Sequence, residues 1–187
     1  TGVDIIASNY PGTTVDYSKG QTTRQGEILE IIDAPGTYSL QPTNKAEEVA
    51  VSLLENADVI VNVIDATSLE RCLYLTVELL QKKKPLIVAL NMWDEAQHLG
   101  IKINLKELEK LLGVPVIPTV AITGEGIREL IDQLSEARTP ETKQQTESTQ
   151  IWTAIGTIVQ KVQSIEHRHH SLADRITDAT VKPVTGI

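Results

Sequence analysis

Residues 86–94 read Leu86-Ile87-Val88-Ala89-Leu90-Asn91-Met92-Trp93-Asp94 (LIVALNMWD). Five apolar residues without a polar break suit a strand covered on both faces, the kind found in parallel sheets. The run stops on Asn91, and Asp94 follows three positions later. The same grammar recurs on either side. Upstream, 59–65 (VIVNVID) is a near-continuous β-branched run that also suits a doubly covered strand. Before it, 45–56 carries Ala46, Val49, Ala50, Leu53 and Leu54 at helical spacing. After it, 69–83 is again helical. Downstream, 105–112 is a short helix with Gly113 as its C-cap, 116–120 a third buried strand, and 127–137 a helix after a Gly-rich turn. Strand–helix alternation of this kind implies an α/β fold: a mainly parallel sheet, right-handed crossovers and helices on both faces. Nearer the N-terminus, 15–18 and 27–32 read as two strands, with the polar stretch 20–26 as a hairpin connection.

The chain has 187 residues, room for one domain with a small appendage. An apolar fraction of 41% supplies a core. Aromatics are 3% and Phe is absent, so that core is built from Ile, Val, Leu and Ala. A net charge of -8 argues against general nucleic-acid binding or adhesion to anionic membranes. The single cysteine, Cys72, reads as a small buried apolar residue in a reducing compartment. No apolar run approaches a membrane span of about 18 residues, so the supplied chain is expected to be soluble. The stretch 139–150 (TPETKQQTESTQ) holds no large apolar residue and reads as a linker. Beyond it, 151–165 and 171–179 are amphipathic and form the expected helical appendage. No internal repeat is present.

Three of the strand runs lead into chemistry-bearing turns. Asp33 ends the first, with Ala34 and Pro35 before Gly36. Asn91 ends the second, with Asp94 three on. The third leads into Ala121-Ile122-Thr123-Gly124-Glu125-Gly126. In an open parallel sheet, ligands bind outside the carboxyl ends of the strands, so the three segments are expected to converge on one edge. An aspartate there can hold Mg²⁺ through water. A glycine can offer its N–H to a phosphate oxygen with no Cβ in the way. An aspartate can also accept two hydrogen bonds from the guanine edge, which adenine cannot supply. Taken singly, each motif is weak: D-x-x-G is a common turn, N-x-x-D is made of ordinary turn residues, and T-G-E-G is a helix start. Their order and their shared position at strand ends reproduce the P-loop GTPase arrangement without its phosphate loop. Asn9-Tyr10-Pro11-Gly12-Thr13-Thr14-Val15 adds a loop ahead of the hairpin. In such GTPases a threonine there ligates Mg²⁺, with Thr14 preferred over Thr13.

The segments NYPGTTV, DAPGTYSL, VIDATSLERCLYLTVELL, VALNMWDEA and LGVPVIPTVA together resemble the cytosolic GTPase domain of the ferrous iron transport protein B family. The resemblance implies a guanine-nucleotide site drawn from Gly12, Thr13, Thr14, Asp33, Ala34, Pro35, Gly36, Asn91, Met92, Trp93, Asp94, Ala121 and Ile122. Thr14 and Asp33 attend Mg²⁺, Asn91 and Asp94 read guanine, and the Ala121 N–H donates to the guanine oxygen. Thr37 stands where Ras-like enzymes orient water with glutamine. Its side chain is too short for that, which implies slow hydrolysis or reliance on backbone groups and a monovalent cation such as K⁺. No residue is assigned as catalytic. Residues 1–138 become the GTPase domain, 139–150 the linker, and 151–187 part of a helical domain leading to a membrane region. The implied partners are GTP or GDP and the protein's own membrane transport region, with homo-oligomers allowed. The implied location is the cytoplasmic side of the inner membrane.

No G-x-x-x-x-G-K-S/T occurs anywhere. The first strand, phosphate loop and first helix are therefore expected upstream of Thr1, and the chain alone is expected to be impaired. Two alternatives compete: a non-catalytic interaction module of a membrane protein, and a soluble GTPase of the ribosome-assembly type, which would lack SLERCLYL. Lys82, Lys83 and Lys84 read as a solvated helix end. His167, His169 and His170 read as a polar helix end in preference to a metal site.

Overall fold

The computed structural model describes residues 4–9, 15–24, 26–140 and 148–165. Along the chain the elements are β1 (Asp4–Asn9), β2 (Asp16–Arg24), β3 (Glu27–Asp33), α1 (Lys45–Asn56), β4 (Ile60–Asp65), α2 (Leu69–Gln81), β5 (Leu86–Asn91), α3 (Trp93–His98), β6 (Ile101–Ile103), α4 (Leu105–Leu112), β7 (Val116–Pro118), α5 (Ile127–Asp132), α6 (Ser148–Val162) and β8 (Gln163–Ile165). Short 3₁₀ turns follow β4 (Ala66–Ser68) and α5 (Gln133–Glu136).

The apolar run of β5 is buried at every position from Leu86 to Leu90. It is the middle strand of a parallel sheet ordered β4-β5-β7. The register pairs Asp65 with Asn91 and Leu90 with Pro118, so the three carboxyl ends are level. One face packs under helices: Ile60, Ile64, Leu86, Val88 and Leu90 share a core with Leu69 and Leu73 of α2, Leu108 and Leu112 of α4, and Ile151 and Ile155 of α6. Within it, the Asn62 amide donates to the Thr76 hydroxyl at 2.7 Å, which satisfies two buried polar groups and pins α2 to β4. The other face differs along the sheet. Ile87 and Ala89 are buried, but Val61 is 38% and Val63 64% exposed. The expectation that β4 is covered on both faces is therefore corrected. Among the described residues β4 pairs with β5 alone, so it is an edge strand and its second face is open.

A separate antiparallel sheet holds β1-β2-β3. Its hairpin is tighter than the polar composition suggested. β2 runs through Gly20, which is buried, to Arg24, and the chain reverses at Gly26 with φ 88°. β1 pairs with β2 from Asp4 to Asn9, a strand not read in the sequence.

Helix termini follow their sequence signals. The Asn44 side chain accepts the Glu47 N–H, and the Glu47 carboxylate accepts the Thr43 N–H and hydroxyl. The bond from the Thr43 N–H, then that from its hydroxyl, holds the Glu47 carboxyl below its ordinary pKa. Gly113 ends α4 in the left-handed region at φ 72°.

Helix α6 begins at Ser148, inside the stretch read as a linker, and belongs to this same core. Ile151, Ile155 and Val162 of α6 are buried in it, and Trp152 stacks on Tyr74 of α2 with ring centroids 5.1 Å apart. The helix expected over 151–165 stops at Val162. Residues 163–165 instead form β8, antiparallel to β6. The helix expected over 171–179 and the histidines at 167, 169 and 170 lie outside the described residues. Among the described residues no helix is long and apolar enough to cross a membrane.

Candidate functional site

The site grows from the end of β5. Met92 takes a left-handed conformation, φ 59° and ψ 33°, which turns the chain from strand into α3 within one residue. Asp94 thereby lies exposed in the first turn of α3. The turn is tied across to the chain after β7: the Trp93 N–H donates to the Thr119 carbonyl at 3.3 Å, and the Thr119 N–H donates to the Leu90 carbonyl at 2.9 Å.

Asn91 closes the junction. Its side-chain carbonyl accepts the Ala121 N–H at 3.1 Å and the Thr119 hydroxyl at 3.4 Å. Two motifs separated by 30 residues in sequence thus meet through one side chain. The Ala121 N–H, expected to face a guanine oxygen, is donated to Asn91 in this structure. The physical reason is distance: the level ends of β5 and β7 put the Asn91 amide directly under the loop.

The loop itself is folded tightly. The Val120 N–H donates to the Glu125 carbonyl at 3.0 Å, and the Gly124 N–H to the Val120 carbonyl at 2.9 Å. The Thr123 hydroxyl donates to the Val120 carbonyl at 3.3 Å. Ile122 is left 94% exposed at the tip. Gly126 closes the loop at φ 74°, at a place where any Cβ would run into the Pro118 carbonyl.

Asp33 and Gly36 belong to a different sheet and to the loop that follows it. Asp33 ends β3, paired with Ser18 in the antiparallel sheet. It is exposed, and so is Gly36; Ala34 and Pro35 between them are half-buried. The expected convergence of three segments on one sheet edge is thus met by two. The third belongs to a different sheet and is anchored to α2, where the Glu78 carboxylate accepts the Leu40 N–H at 2.6 Å. Gly12, Thr13 and Thr14 lie outside the described residues.

Three residues join the site that sequence reading did not single out. Asp65, level with Asn91, accepts the Thr67 N–H at 2.8 Å and its hydroxyl at 2.7 Å, and so shapes the turn at the end of β4. Thr119 and Gly126 hold the third loop. Asp65 was readable as a further acid at a strand end. Thr119 looked like part of a strand, and Gly126 like one glycine of a helix start.

The carboxylate and hydroxyl oxygens named for Mg²⁺ are hard donors of the right chemistry. Asp33 offers one such donor among the described residues, exposed at its strand end and able to reach a cation through water.

A family profile described as "Ferrous iron transport protein B" matches residues 1–134. The chain is 45% identical over 123 residues to the Fe(2+) transporter FeoB of Helicobacter pylori, covering 65% of this chain and 19% of that protein. Among solved structures it is similar to the cytosolic domain of L. pneumophila FeoB, with TM-score 0.77, 31% identity, and coverage of 88% of this chain and 91% of the other. It is also similar to the cytosolic domain of the T. maritima FeoB iron transporter in its GMPPNP form, with TM-score 0.79, 25% identity and coverage of 88% and 91%. The chain spans less than a fifth of the length of the curated relatives it matches.

Proposed function

The chain belongs to the ferrous iron transport protein B family, and from that premise we propose that it binds guanine nucleotide and serves as the GTP-hydrolysing regulatory part of a ferrous iron transporter. The observation that carries this reading is the Asn91–Ala121 hydrogen bond, which joins the N-x-x-D turn to the loop after β7 at one edge of a parallel sheet. Support comes from the T. maritima relative, whose cytosolic domain was solved in a GMPPNP form.

In this reading Asp94 accepts the N1–H and N2–H₂ of guanine, and its exposure leaves the carboxylate accessible. Asn91 acts as the post that holds the loop. The Ala121 N–H is shared between Asn91 and the base oxygen, while Met92, Trp93 and Ile122 contribute the walls. At the phosphate end, Gly36 offers its N–H to the γ-phosphate, with Ala34 and Pro35 shaping its approach, and Gly12, Thr13 and Thr14 belong to the facing loop. Mg²⁺, held by Thr14 and through water by Asp33, would neutralise phosphate charge. The phosphate loop comes from outside residues 1–187, so the chain alone binds nucleotide weakly. In the whole protein we place this domain on the cytoplasmic side of the membrane.

The test uses the full-length transporter. Asp94→Asn replaces an acceptor with a donor, so preference should move from GTP toward XTP by tenfold or more, a change of about 1.4 kcal/mol or greater. Unchanged GTP affinity with no gain for XTP would refute the assignment.

A further inference from the structure

The segment after Asp33 has no regular structure until α1 begins at Lys45. Its internal contacts are short-range: the Thr37 hydroxyl donates to the Ser39 carbonyl at 2.6 Å and accepts the Ser39 N–H at 3.3 Å. Such an ST turn sets a local bend and does not locate the segment in the molecule. Location comes from α2. The Arg71 guanidinium lies over the Tyr38 ring, 4.7 Å from its centroid. The Glu78 carboxylate accepts the Leu40 N–H at 2.6 Å, a charge-assisted bond. Arg71 and Glu78 are two helical turns apart and so share one stripe of α2, about 10 Å between them along the axis.

Tyr38 is 67% exposed, so burial does not hold its ring where it is. The half-buried Leu40 side chain packs on the core beside the same helix. Alternate residues of the loop are thus fastened to alternate turns of one helix. Gly36 is two residues before the first fastening point. The N-terminus of α2 follows Asp65 with only the 3₁₀ turn Ala66–Ser68 between them, and Asp65 is level with Asn91. The clamp therefore sets the position of the Gly36 N–H relative to the end of the parallel sheet, although the two lie in different sheets.

We propose that Arg71 and Glu78 are positioning residues that hold the Gly36 loop at its working distance from the β4-β5-β7 edge. The kinetic part rests on the nucleotide reading above; the structural part does not.

The experiment compares full-length wild type, Arg71→Ala, Glu78→Ala and Glu78→Gln. Hydrogen exchange is followed over residues 36–42 without nucleotide, with 86–91 as an internal control. Glu78→Ala should speed exchange at Leu40 tenfold or more, and Arg71→Ala should speed exchange over 38–40. Glu78→Gln should stay near wild type, because its amide oxygen still accepts the bond. Exchange in 86–91 should not change. Leu40 exchange within twofold of wild type in Glu78→Ala, or equal acceleration in 86–91, would overturn the clamp.

In the second arm, kcat for GTP should fall about tenfold in both alanine variants, with GDP Kd within twofold of wild type and Glu78→Gln restoring kcat. Equal losses in GDP affinity and kcat would overturn the positioning role. If wild type binds no GDP, the nucleotide reading fails, and the exchange arm still decides the clamp.

Discussion

At Gly126 the loop that carries Ala121 meets two demands at once. Its φ of 74° lies where L side chains are strained, and a Cβ there would overlap the Pro118 carbonyl. Gly126→Ala should therefore destabilise the protein by about 3 kcal/mol, strain and overlap together. Chemical denaturation would measure it, and a loss under 1 kcal/mol would mean the loop shifts freely. Gly36 makes the useful contrast. A Cβ there meets nothing within 4 Å, so Gly36→Ala leaves the fold intact and interferes only with a ligand approaching its N–H. The sequence showed both glycines equally, but their difference lies in contacts that no local spacing encodes. Asn91 and Asp94 were legible because a polar residue ending an apolar run is conspicuous. Thr119 was not, because threonine is an ordinary strand residue. The bond between Asn91 and Ala121 depends on strand register, which becomes visible only once β5 and β7 are paired.

Among the elements, those marked by a clear apolar run or helical spacing were readable, the three-residue β7 included, while β1, β6 and β8 were not. α1 spans 45–56 as its apolar spacing implied, and β4 and β5 fall within a residue of their apolar runs. β6 and β8 have three residues each, too few to show a period. β8 also continues the amphipathic pattern of α6, so only its pairing with Ile101–Ile103 reveals where the helix stops. The packing of α6 on α2 was hidden for another reason: a polar linker in the sequence suggested separation, while the apolar face of α6 needed the core beside it. Tyr74 and Trp152 are the most specific contact of that packing. A double-mutant cycle between Tyr74→Leu and Trp152→Leu should give a coupling of about 1 kcal/mol, the usual worth of an aromatic pair beyond its buried area. Additive effects would show that the rings contribute burial alone.

The whole molecule carries an asymmetry that no single element explains. Its parallel sheet is sealed around β5 and β7 but open at β4, where Val61 and Val63 face solvent. Its antiparallel sheet likewise exposes Ile28, Ile31 and Ile32 on β3. Parallel strands are ordinarily covered on both faces, and contiguous exposed apolar surface marks a place where something else binds. Among the described residues the outer edge of β4 is unpaired, and such an edge presents backbone donors and acceptors to another strand. This agrees with the proposal that a strand, phosphate loop and helix lie upstream of Thr1, the strand pairing with β4 and the helix covering Val61 and Val63. The 187-residue chain should then bind an apolar dye such as ANS and melt several degrees below a longer chain that includes the upstream segment. Covering Val61 and Val63 would contribute about 2 kcal/mol, taking each as a partly exposed valine side chain. For a domain of this size that corresponds to a shift of about 4–8 °C. Replacing Val63 with Thr in both chains separates this cause from a general effect of length. The substitution should be nearly neutral in the short chain, where the side chain is already in water, and destabilising in the longer one, where the hydroxyl would be buried. Equal effects in the two chains would show that the upstream segment does not cover β4.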